Sequence, residues 1–125
     1  MLAVHHLAVL VRDLEGAEAF YTGVLGLAVR QRWNDEAGRP RSVWVELGGG
    51  AFLAIERAGE NAPAGPGHAG WHCVALGITA TERAAWRARL EAAGVAVVRE
   101  SPYTMYVQDP EGNLVALSHH PTTVT

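Results

Sequence analysis

The chain has 125 residues, enough for one domain with a sizeable core, and 49% hydrophobic residues with a mean hydropathy of +0.05 describe an ordinary globular protein. A net charge of −3 with no basic stripe argues against a nucleic-acid partner, and no apolar run reaches the length of a membrane span. One cysteine, Cys73, excludes an internal disulfide framework and, with no signal-peptide pattern, points to a cytoplasmic location.

The first strand is predicted over 4–11, where Leu7, Val9 and Val11 alternate with His6, Ala8 and Leu10 and so face opposite sides of a sheet. Asp13 is a good N-cap for a helix with the apolar stripe Leu14, Ala17, Phe20 and Tyr21, ended by Gly23 and Gly26. Strands follow over 27–33, 42–47 and 51–56, and Gly48-Gly49-Gly50 supplies the positive φ angles of a hairpin between the last two. Residues 57–70, rich in Gly and Pro, read as a linker. The pattern then restarts. A strand over 71–77 leads to a helix capped by Thr79 and Glu82, with Trp86 and Leu90 on its buried face and Gly94 at its end. Strands near 95–99, 103–108 and 113–119 complete the chain, and Asp109-Pro110-Glu111-Gly112 fits a type I turn.

One phrase occurs twice. His6-Leu-Ala-Val-Leu-Val returns as His72-Cys-Val-Ala-Leu-Gly, and each histidine is followed by a matched capping residue (Asp13, Thr79) and a matched helical aromatic (Phe20, Trp86). These landmarks imply an internal duplication of a β-α-β-β-β unit. The expected fold class is α+β, a single domain over 1–125 with module one at about 3–56, the linker at 57–70 and module two at about 71–120, forming a cupped mixed sheet. Leu7, Val9 and Val11 are the greasier set and belong against the helix, which turns His6 to the concave side. The same parity puts Val115 and Leu117 on the helix side and Ala116, Ser118 and His120 toward the cup, while His5 faces the helix and Cys73 is read as a small buried hydrophobe.

These residues resemble the vicinal oxygen chelate superfamily, which includes glyoxalase I, fosfomycin-resistance thiol transferases, bleomycin-resistance proteins and extradiol dioxygenases. The carriers are His6-Leu-Ala-Val-Leu-Val-Arg-Asp13, Phe20-Tyr21 with Val24-Leu25-Gly26-Leu27, His72-Cys-Val-Ala-Leu and Asp109-Pro-Glu-Gly-Asn113-Leu. The resemblance implies a divalent metal held by His6 and His72, yet the usual carboxylate after the Asp-Pro-x-Gly-Asn turn falls on Ala116. A further Glu ligand of glyoxalase-like members matches either Ala54 or Glu56, so His6, His72 and Glu56 are the candidate metal set. Glu56 is also a candidate general base and Tyr106 a candidate for orienting substrate or stabilising an oxyanion. Trp44, Phe52, Thr104 and Tyr106 are the implied pocket wall, without the basic residues that hold a phosphonate, so fosfomycin is not the expected substrate. The resemblance also implies a homodimer with sites shared between subunits. Two functions follow: a metal-dependent lyase or thiol transferase of the glyoxalase type, or a metal-free protein that sequesters an aromatic or cationic small molecule. The retained histidines favour the first, which leads, and Ala116 favours the second.

Overall fold

The computed structural model describes residues 4–59 and 73–121, in two compact units, Met1–Ala64 and Gly65–Thr125. In the first unit β1 (His6–Val11) is followed by a short helix α1 (Leu14–Glu18) that runs into a π-helical turn at Ala19–Val24. Strands β2 (Val29–Asn34), β3 (Pro40–Gly48) and β4 (Ala51–Arg57) complete it. The sheet order is β1-β4-β3-β2, with β1 parallel to β4 and the other pairs antiparallel. The second unit has β5 (Cys73–Gly77), a 3₁₀ turn at Ala80–Glu82, helix α2 (Arg83–Ala92), β6 (Arg99–Glu100), β7 (Thr104–Gln108) and β8 (Leu114–Ser118). Its order, β5-β8-β7-β6 with β5 parallel to β8, repeats that of the first unit strand for strand. The fold is α+β with two mixed four-stranded sheets, as the repeated phrase predicts.

Local signals explain where the elements begin and end. The Asp13 carboxylate accepts the Gly16 N–H at 3.0 Å, an N-cap for α1. Thr79 and Glu82 form both bonds of a capping box. Gly94 ends α2 at φ 73°: its N–H donates to the Glu91 carbonyl and that of Val95 to the Leu90 carbonyl, the paired bonds of a Schellman stop. All three glycines of the β3–β4 hairpin have positive φ, at 92°, 62° and 87°.

The first helix departs from expectation. The Thr22 hydroxyl donates to the Glu18 carbonyl at 2.7 Å, and the Leu25 N–H reaches back five residues to Phe20. This side-chain bond to the carbonyl four residues back accompanies the widened turn. Gly23 lies inside this turn and does not end it. The strand expected over 95–99 contracts to Arg99–Glu100, because Val95 is still bonded to α2.

Alternation divides the first sheet cleanly. Val11, Val43, Val45, Leu53 and Ile55 are buried with Leu14, Ala17, Phe20 and Tyr21, and α1 packs against β3 and β4. In the second unit Val115 and Leu117 pair in register with Val107 and Met105, all buried, and on their other side with Val74 and Leu76. Leu90 of α2 is fully buried, whereas Trp86 is half-buried beneath Arg89. Cys73 corrects its expectation: it is half-buried and pairs with Leu114, on the face that carries Ala75 and Ala116. Among the described residues no helix is long and apolar enough to cross a membrane.

Candidate functional site

The other face of the first sheet is built by register. Phe52 lies opposite His6 on one side and Glu46 on the other, Ala54 between Ala8 and Trp44, and Glu56 between Leu10 and Ser42. On β2, Trp33 lies opposite Ser42, and Gln31 opposite Trp44. A bulge between Val29 and Gln31 sets two residues of β2 against one of β3, and Arg30 turns onto this same face.

Four rings follow one another across the strands. His6 stacks on Phe52 with centroids 4.8 Å apart and planes 11° apart, and Phe52 stacks on Trp44 at 4.4 Å and 24°. Trp33 leans on Trp44 at 5.3 Å. Phe52 is buried and Trp44 half-buried, while His6 and Trp33 at the two ends are exposed. Stacked geometry of this kind adds to the apolar burial of each ring.

Arg30 fixes the middle of the row. Its guanidinium donates to both Glu46 carboxylate oxygens at 2.7 Å and to the Gly50 carbonyl at 2.9 Å, and its central carbon lies 4.6 Å above the Phe52 ring. The same bonds raise the Arg30 pKa and hold that of Glu46 below the usual carboxylate range, against partial desolvation of the acid. Beyond Phe52, the Ser42 hydroxyl and the Trp44 indole nitrogen are buried with no hydrogen-bond partner among the described residues. His5, expected on the helix side, has its ring beside this face: its Nδ1 is 2.9 Å from Nδ1 of His6 and its ring meets Phe52 edge-on. The reversal arises because β1 starts at His6, so strand alternation does not govern His5.

Of the residues predicted from sequence, His6, Trp44, Phe52 and Glu56 therefore share one face. Glu56 is not brought to His6. It lies four residues along, about 13 Å at the strand rise, and Phe52 occupies the place opposite the histidine. Thr104 and Tyr106 share a face of the second sheet with Ala116, which pairs with Tyr106 and Ala75. The Thr104 hydroxyl is 2.8 Å from that of Ser118, and the Arg99 guanidinium lies 4.1 Å above the Tyr106 ring. His72 lies outside the described residues. Among those described, no three His, Cys, Asp or Glu side chains are grouped to hold a metal, and Phe52, Ala54 and Ala116 offer no ligand atoms.

The sequence reading overlooked Trp33, Arg30, Glu46 and Ser42. Trp33 and Ser42 had a usable signal, since simple alternation on β3 carries Ser42 to the same face as Trp44. Arg30 had none, because only the bulge redirects it.

Residues 3–117 match the model of the glyoxalase/bleomycin resistance protein/dioxygenase superfamily, and the chain belongs to that superfamily. No curated protein matches the sequence at a significant level. Among solved structures, a variant of the fosfomycin resistance protein FosX of Listeria monocytogenes, with Mn(II) and 1S,2S-dihydroxypropylphosphonic acid, is similar. The TM-score is 0.76 at 18% identity, covering 97% of this chain and 94% of that one. FosX of Mesorhizobium loti gives a TM-score of 0.73 at 16% identity, with 97% and 94% covered. Lactoylglutathione lyase of Agrobacterium tumefaciens gives 0.66 at 27% identity, with 94% and 92% covered.

Proposed function

We propose that the chain binds a flat aromatic or cationic small molecule on the face formed by His6, Phe52, Trp44 and Trp33, in the manner of a sequestering protein of the bleomycin-resistance type. The observation that carries this reading is the unbroken row of four rings, braced from above by Arg30. Rigid aromatic surface with a few fixed polar groups is what recognition of a small organic ligand requires. Tyr106 and Thr104, which share a face of the second sheet, are proposed as ligand contacts of that sheet in its own right, in a single domain that acts as a cytoplasmic homodimer.

The competing reading is a divalent-metal-dependent lyase or thiol transferase anchored by His6 and His72, with Glu56 and Tyr106 as its acid–base and orienting groups. The repeated histidine phrase supports it, as does Mn(II) in the Listeria relative. The test separates the two. Tryptophan emission is followed while a bleomycin and a panel of planar aromatic cations are titrated in, and the metal content of protein purified without a nickel column is measured. Saturable quenching lost in Trp44→Ala supports the binding reading. No response from any ligand, with one metal per chain lost in His6→Ala and in His72→Ala, overturns it in favour of the metal enzyme.

A further inference from the structure

Buried polar atoms that lack a partner are rare in folded proteins, because each forfeits its hydration for nothing. Two of them lie together on β3, the Ser42 hydroxyl and the Trp44 indole N–H. They are two residues apart, so both belong to the aromatic face, about 7 Å from each other at Cα. Ser42 is only 2% exposed, and the register sets Glu56 and Trp33 on either side of it. Ala54 and Gln31 flank Trp44 in the same way, and none of the four engages either donor.

We infer that Ser42 and Trp44 form a two-donor subsite for an uncharged carbonyl oxygen on a flat aromatic ligand. The inference rests on the aromatic-face reading above and names the ligand class that this face takes. A carbonyl oxygen has two lone pairs and accepts from both donors while its ring lies along the tryptophans. A carboxylate is a poorer ligand, because Glu56 sits directly across from Ser42, with Cα atoms roughly 5 Å apart, and like charges at that spacing repel. Both donor atoms are closed to solvent in the free protein. Entry of the ligand therefore requires side chains to move, and the exposed Trp33 ring, which leans on Trp44 and lies opposite Ser42, is the one to displace.

Three probes of one shape test this: naphthamide, naphthoate and isopropylnaphthalene, titrated against the full chain by tryptophan emission and calorimetry. Naphthamide binds most tightly. Ser42→Ala weakens naphthamide about 3- to 10-fold, the loss of one neutral hydrogen bond, and leaves isopropylnaphthalene unchanged. The same variant does not lower the melting temperature, because an unpartnered hydroxyl stabilises nothing in the free protein. Trp44→Phe, which removes the N–H together with part of the stacking surface, weakens all three probes and naphthamide the most, and Glu56→Gln narrows the gap between naphthamide and naphthoate. Equal affinity for all three probes, unaltered by Ser42→Ala, overturns the subsite and leaves the aromatic face standing. A melting temperature that falls in Ser42→Ala, with all three probes weakened alike, also overturns it by making Ser42 structural. No binding by any probe removes the aromatic-face reading itself, and the subsite with it.

Discussion

Replacing Asp109 by alanine is expected to be the most damaging polar substitution in the second unit. The residue is 4% exposed, and its carboxylate gathers three donors around the β7–β8 turn. The Glu111 and Asn113 N–H groups donate to Oδ1, and Asn113 Nδ2 donates to Oδ2, each at 2.9 Å. Two backbone bonds of the same turn, Gly112 N–H to the Asp109 carbonyl and Asp109 N–H to the Asn113 carbonyl, survive the substitution. A hydrogen bond to a charged acceptor contributes about 1.5–3 kcal/mol. The three share one carboxylate, and Glu111 and Asn113 are only half-buried, so the released donors turn partly to water. The loss is then about 3 kcal/mol, well below the independent sum. For a chain of this size that lowers the melting temperature by about 10 °C, measured by circular dichroism or calorimetry. Asp109→Asn keeps an oxygen for the two backbone donors but sets an amide against Asn113 Nδ2, and should lose about half as much. A drop of less than about 3 °C in the alanine variant would refute the assignment of this turn to the carboxylate.

Two further outcomes follow from local chemistry. Asp35, Glu46 and Glu82 are all held below the ordinary carboxylate range: Asp35 chiefly by the Arg39 N–H with help from Arg57, Glu46 by the Arg30 guanidinium, and Glu82 by the Thr79 N–H. A depressed folded-state pKa gives stability that is complete above the unfolded value and is lost as pH falls through the folded one. The melting temperature should therefore hold steady down to about pH 4.5 and decline below it, less steeply in Glu46→Gln, and a rise on acidification would contradict the pairing. Gly94→Ala forces a side chain to φ 73° where its Cβ meets nothing within 4 Å, so its cost is backbone strain alone, about 1 kcal/mol by urea unfolding. A cost of several times that would mean that packing is involved.

The legible parts of this fold were those written in contiguous residues. Asp13, the Thr79–Glu82 box, the triple glycine and Gly94 each act within a few positions and could be read directly. The duplication was legible because its landmarks recur at fixed spacing. What escaped depends on partners distant in sequence. Arg30 reaches Glu46 only because a bulge displaces it, and a bulge is a property of two strands together. The sequence alone does not choose between Ala54 and Glu56, because pairing with β1, and not the composition of β4, decides which residue faces His6; the strand puts Phe52 there. The π-helical turn at Ala19–Val24 carries no mark in the residues themselves, since threonine at position 22 equally fits an ordinary helix. Alternation places Ser42 on the face of Trp44, but that its hydroxyl is unpaired depends on neighbours from other strands.

The parallel pairing of β1 with β4 has a consequence for how the chain is made. Residue 6 finds its partner at residue 52, so β1, synthesised before the rest of its unit, waits for β4 before it is hydrogen-bonded. Closing so wide a loop is slow, and the hairpins among β2, β3 and β4 form sooner. Until then Leu7-Ala-Val-Leu-Val11 is an uncharged, β-prone segment with both edges open, the composition that seeds intermolecular sheets. Nascent-chain yield should accordingly be most sensitive to substitutions in β1, and a charge at Leu10, already exposed in the finished sheet, would protect the chain during synthesis without disturbing the core.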